Sequence, residues 1–137
     1  MTITTTTSRI AYTGDGTANP LSFPYPLQAE ADLTIVETII ATGVDTTQML
    51  TTDYTVSIAS GGATATITPV AVIPATVTWS LIRNPAATQA TDFVDNDSLP
   101  AASIEDALDR GMMVNQRTLD LVTRAVKLPD GYTGSFD

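Results

Sequence analysis

Hydrophobic and polar residues alternate through most of the first 86 positions, and the spacing then changes to that of a helix. Strict alternation puts residues i, i+2 and i+4 on one face of a strand. In residues 53–58 it groups Tyr54, Val56 and Ile58, and alternation resumes in 63–68 after Ser60-Gly61-Gly62. Two such runs around a glycine turn predict a β-hairpin. Residues 76–83 bring Val77, Trp79 and Leu81 together, and Asn84-Pro85 ends the run. Trp79, the only tryptophan, is expected to anchor the core.

Residues 33–40 are apolar on both faces, as expected of a strand inside a sheet. A turn is predicted at 43–47, with the sheet resuming at Gln48-Met49-Leu50. Residues 2–12 read as extended chain or a first strand, broken by Gly14-Asp15-Gly16. Pro24 and Pro26 allow residues 21–27 only an edge strand running into a polyproline-like bend. Its aromatics, Phe23 and Tyr25, fit two roles, sealing one end of a core or forming an exposed docking surface. Roughly five to seven short strands with no helix between them predict a mainly β fold: a small antiparallel sandwich or partial barrel, followed by one long helix.

The helix is announced by Ser103-Ile104-Glu105-Asp106, which has the form of a capping box. It is expected to run from 103 to 126 and to stop before Pro129, ~36 Å at 1.5 Å per residue. The chain accordingly divides into a β-rich domain (1–86), a connector (87–102), a helix (103–127) and a turn-rich tail (128–137), which reads as a linker to something further or as the docking peptide of a small adaptor. Leu108, Met112, Asn115, Leu119, Val122 and Val126 follow one another at steps of 4, 3, 4, 3 and 4. That is the seam of a short coiled coil with one polar layer, or else a stripe laid on the chain's own sheet. Gly111 inside the helix costs about 1 kcal/mol relative to Ala and marks a bend or a close approach.

Composition narrows the function. Threonine is the commonest residue, and Thr, Val and Ile suit a half-buried sheet surface. Against 15 acidic residues stand 6 Lys and Arg, a formal net charge of −9. Such a surface repels phosphate backbones and anionic lipid, so neither nucleic acid nor membrane is an expected partner. No signal peptide is evident at the N-terminus, so synthesis in the cytoplasm is expected.

The chain has no histidine and no cysteine, which removes the usual zinc ligands and the Ser/His and Cys/His nucleophile systems. Asp92, Asp95 and Asp97 are the candidates for paired-carboxylate glycoside hydrolysis, and Asp95-Asn96-Asp97 offers oxygens to Ca²⁺. An Asx-rich turn leading into the helix accounts for them as well. The expectation is a non-enzymatic chain without cofactor or metal.

An ordered set of short signals carries a resemblance. Tyr12 precedes Gly14-Asp15-Gly16; then come Phe23-Pro24-Tyr25-Pro26-Leu27, Leu50 with Asp53-Tyr54, Thr66-Ile67, Ile82-Arg83, Asp92-Phe93, Ser98-Leu99, and a helix bearing Ala107-Leu108-Asp109 and Gln116. In their order and spacing they resemble the N-terminal virion-anchoring domain of tail fibre and tailspike proteins of short-tailed bacteriophages, over residues 9–126. The resemblance implies a homotrimeric virion protein, made in the host cytoplasm, that attaches a fibre or spike to the adaptor and nozzle proteins of the tail. A receptor-binding or sugar-cleaving part would then follow the C-terminus. Candidate docking residues are Phe23, Tyr25, Asp92, Phe93, Asp95 and Asp97. The alternative is a stand-alone β-sandwich adhesin that binds a glycan or protein receptor.

Overall fold

The computed structural model describes residues 3–89 and 100–125, and there the alternation becomes two antiparallel sheets packed on each other. The strands are β1 (Arg9–Thr13), β2 (Leu21–Phe23), β3 (Leu33–Ile39), β4 (Asp45–Gln48), β5 (Tyr54–Ile58), β6 (Ala65–Pro69) and β7 (Val77–Arg83), and the helix is α1 (Ala101–Arg124). One sheet has the order β1-β7-β3-β4 and the other β2-β6-β5. The two-sided strand predicted at 33–40 lies between β7 and β4, and the proline-flanked strand β2 is an edge. The hairpin forms as β5 and β6, with Val56 opposite Ile67 and positive φ at Gly61 and Gly62 in its turn.

The core is the meeting of the inward faces. Leu33, Ile35, Val77, Trp79 and Leu81 come from the four-stranded sheet, and Phe23, Tyr54, Val56, Ala65 and Ile67 from the three-stranded one. Trp79 and Tyr54 meet edge to face across the layers, with centroids 6.4 Å apart. Each large side chain buried here contributes about 1.5–3 kcal/mol of transfer free energy. The polar edges of the aromatics are satisfied. Trp79 Nε1 donates to Glu37 Oε2 at 2.8 Å, and Tyr54 donates to the Leu33 carbonyl at 3.3 Å. Burial, helped by the Asp53 charge, pushes the Tyr54 phenol above its ordinary pKa.

Three expectations need correction. The sheet resumes at Asp45–Gln48, not at 48–50; Gln48 closes β4, and Met49 lies outside it, 64% exposed. The helix starts at Ala101, with Pro100 as N-cap, so Ser103 is already helical and its side chain caps nothing. Pro100 has the extended backbone of an N-cap, and two alanines, the best helix formers, follow it. Phe23 is wholly buried, with its ring edge-on to Tyr25 at 5.3 Å. Of its two roles the structure takes core sealing, because β2 pairs with β6 through Phe23 and Ala65 and turns that side chain inward.

Gly14 has a steric reason to be glycine. A Cβ there would stand 2.1 Å from the Pro74 carbonyl oxygen, held in place by a backbone bond from Gly14 to Val77 at 3.0 Å. Gly14→Ala is expected to cost about 1–3 kcal/mol through forced backbone movement, read as a lower urea midpoint. An unchanged midpoint would mean that the β1–β7 end relaxes freely.

The helix crosses one end of the sandwich. Arg9, Leu33 and Arg83 gather at that end, since Leu33 pairs with Arg83 and Arg9 with Ile82. The opposite end brings together residues 14–17, 39–44 and 70–76, joined by bonds from Ile40 N to the Thr76 carbonyl at 3.0 Å and from Gly16 N to the Ile73 carbonyl at 2.9 Å.

Candidate functional site

The helix faces its own domain with its polar side. Gln116 is buried, donates to the Thr5 carbonyl at 2.6 Å and accepts from Arg83 Nη2. Arg83, at 0% exposure, also donates to the Pro26 carbonyl at 2.8 Å, and burial lowers the pKa of its guanidinium. Arg110 reaches Asp32 at 3.3 Å and the Ala86 carbonyl at 3.2 Å. Arg117 donates to Asn84 at 3.1 Å, and Gln28 donates to the Asp106 carbonyl at 2.8 Å. Met113 is the only apolar side chain of the helix that is fully buried.

The other side of the helix is apolar and open. Leu108 is 69% exposed, Leu119 57%, Met112 50% and Val122 45%, with Asn115 exposed between them. At 100° per residue these five fall within roughly 80° of arc, and the Asp109, Gln116 and Met113 positions lie roughly 80–140° away from its centre. The stripe is therefore not what holds the helix to the sheets. An isolated exposed leucine is ordinary, but a run of large apolar side chains at heptad spacing marks a contact surface. Val126, the sixth member of the predicted stripe, lies outside the described residues, as do Asp92, Phe93, Asp95 and Asp97. Tyr25 is half-buried beside Phe23.

An open groove of ≈ 470 Å³ runs beside the stripe, lined by Leu108, Gly111, Val114 and Asn115 of the helix and by residues 87–89. Among the described residues, no group of three or more His, Cys, Asp or Glu side chains is placed to hold a metal ion.

Sequence reasoning missed two features. One is the polar docking of the helix, whose partners lie 33 to 111 residues apart in the chain and follow no local period. The other is the far end of the sandwich. There Ile40, Val44, Val70 and Val72 are 56%, 53%, 63% and 60% exposed, and segments 39–44 and 70–76 carry no charge in an otherwise acidic chain. The run Val70-Ala71-Val72 in a connection was the available signal. No described helix is long and apolar enough to cross a membrane.

Asp120 gathers the end of the docked face. It accepts from Arg117 at 2.7 Å and from Arg124 at 2.8 Å, and faces Arg9 at 3.9 Å. Burial alone would raise its carboxyl, but the Arg124 hydrogen bond and the charges of Arg124, Arg9 and Arg117 outweigh that and bring it below the ordinary 3.8. A carboxyl depressed in the folded state stabilises fully above its unfolded pKa and loses that contribution as pH falls through the folded one. Thermal melts are expected to show an acid-side loss below about pH 3.8 that is shallower in Asp120→Asn; identical slopes would remove Asp120 from the helix contact. The chain matches no family model and no curated protein.

Proposed function

We propose that this chain is a structural virion protein: a homotrimeric N-terminal anchor that attaches a tail fibre or tailspike to the adaptor and nozzle region of a short-tailed phage. One observation carries the trimer. The helix spends its polar face on its own domain and leaves a heptad stripe of Leu108, Met112, Asn115, Leu119 and Val122 uncovered. A stable monomer gains nothing from that arrangement, whereas parallel copies bury the stripe along a common axis. The apolar segments 39–44 and 70–76, which share their end of the sandwich with the turn bearing Asp15, lie across from the helix. A connector needs two such surfaces, one to gather its copies and one to meet the tail. The order of short motifs from Tyr12 to Gln116 supplies the phage-anchor part of this reading.

The adhesin alternative needs a face on which a sugar ring can stack. Trp79 and Tyr54 are both committed to the core, which leaves Tyr12 and Tyr25 as the partly exposed aromatics among the described residues. Sedimentation of the full chain at micromolar concentration is expected to give a trimer, and the trimer is expected to decorate phage tails lacking fibres. A monomer that binds glycans and ignores the tails would replace the anchor with the adhesin.

A further inference from the structure

Among the described residues, every exposed Val, Ile, Leu or Met lies in one of two places. One is the helix. The other is a pair of segments in the β domain, which carry Ile39, Ile40, Val44 and Met49, and Val70 and Val72. Backbone bonds draw these segments together at the end of the sandwich away from the helix. Ile40 N donates to the Thr76 carbonyl, Gly16 N to the Ile73 carbonyl, and Val70 N to the Asp53 carbonyl at 2.9 Å. Met49 joins them through its amide, which donates to Asp53 Oδ2 at 2.7 Å.

The charges are sorted between the same two places. No Lys or Arg occurs between Arg9 and Arg83. Arg9, Arg83, Arg110, Arg117 and Arg124 all stand on or against the helix contact. Asp15, Asp45 and Asp53 flank the apolar segments, and among the described residues none of the three meets an arginine. Asp15 accepts from Thr17 Oγ1 at 2.6 Å, Asp45 from Thr38 Oγ1 at 2.6 Å, and Asp53 from the Met49 amide. The Thr17 hydroxyl and amide hold the Asp15 carboxyl below its ordinary pKa, so its charge persists in mild acid.

Protein interfaces place apolar side chains at the centre and polar ones at the rim. Here the centre is aliphatic and the rim carries one sign of charge, which narrows what covers it. A second copy meeting through the same face would set aspartates against aspartates. Nucleic acid and anionic lipid present phosphate, which the same carboxylates repel. We infer that this end docks a protein surface of apolar side chains ringed by Lys or Arg. Placing that surface on the phage tail rests on the anchor reading above; its chemistry follows from the patch itself.

The test uses the full chain and a short synthetic peptide of alternating leucine and lysine, with a leucine–glutamate peptide as control. The lysine peptide is expected to shift the methyl resonances of Ile40, Val44, Val70 and Val72 and to leave those of Leu119 and Val122 in place. The glutamate peptide should shift neither set. Ile40→Ser/Val72→Ser, at exposed positions, should weaken the binding at least about tenfold without moving the urea midpoint. Asp15→Asn/Asp45→Asn should flatten its decline with salt, because each aspartate removed takes away a screened attraction. A footprint on the helix stripe, equal binding of the two peptides, or wild-type affinity in the Ser variant would overturn the inference.

Uptake by phage tails lacking fibres separates this inference from the anchor reading. Tails that take up the wild-type chain and not the Ser variant support both. Tails that take up the two chains equally leave the anchor standing and overturn this docking face. If the tails ignore the wild-type chain while the peptide footprint holds, the anchor reading falls and the surface for a basic partner remains.

Discussion

Leu119→Asp is expected to turn the proposed trimer into a monomer at micromolar concentration while leaving the β domain folded. Within one chain Leu119 is 57% exposed and supports nothing in the core, so the substitution costs the isolated chain little. On a three-fold axis it would place three carboxylates in one apolar layer. Each buried, unpaired charge costs several kcal/mol even after relaxation, and the like charges repel one another. Association should fall by more than about 10³-fold, since every 1.4 kcal/mol is a factor of ten. Leu121→Asp provides the control. Leu121 is 49% exposed on the same helix but stands outside the heptad stripe, and its substitution should leave the proposed trimer intact. Equal effects at the two positions would mean that the helix acts by general hydrophobicity and has no seam.

The strands that proved legible are those whose burial alternates. β5, β6 and β7 each bury every second residue over most of their length, and the sequence writes that period directly. Strand β4 was misplaced for the converse reason. Its residues, Asp45–Gln48, are mostly exposed and contain no apolar side chain, so pairing with β3 leaves no hydrophobic trace, and Met49 and Leu50 drew the expectation three residues on. The capping-box motif misled in a similar way. It describes what Ser103 and Asp106 are able to do at a helix start, but the proline at 100 sets the start earlier. The Phe23 ambiguity is also physical, because an aromatic between turns and prolines has no neighbours in sequence that reveal its inward face.

The stripe from Leu108 to Val122 was legible as a pattern, but not the side of the helix that meets the domain. Hydrophobic periodicity reports only apolar faces. Here the attached face is polar, and its partners Thr5, Asp32, Asn84 and Arg83 are scattered through the chain. A rule that apolar faces point inward would have docked this helix the wrong way round.

That polar attachment centres on Arg83, and Arg83→Ala is expected to destabilise the chain by about 3–5 kcal/mol in urea unfolding. Three losses add up. The arginine stem leaves the buried end of β7, where the side chain is fully enclosed. The Pro26 carbonyl and Gln116 Oε1 lose a charge-assisted donor, worth about 1.5–3 kcal/mol each when the donor is ionised. Lysine cannot stand in, because a single ammonium does not reproduce the fork that serves Pro26 and Gln116 together. Methionine keeps the stem and removes the cost of holding a charge away from water, so Arg83→Met should lie between Ala and wild type.

The loss also has a location. Gln116 links Arg83 to the Thr5 carbonyl, so removing the guanidinium loosens the helix and the N-terminal segment together. Amide exchange should quicken across residues 109–120 and 5–8 while the β5–β6 hairpin keeps its protection. A double-mutant cycle with Gln116→Ala should show coupling of about 1–3 kcal/mol. Independent effects of the two substitutions, with exchange quickened evenly over the whole chain, would mean that Arg83 stabilises the sandwich alone and that the helix is held by Arg110, Arg117 and Asp120.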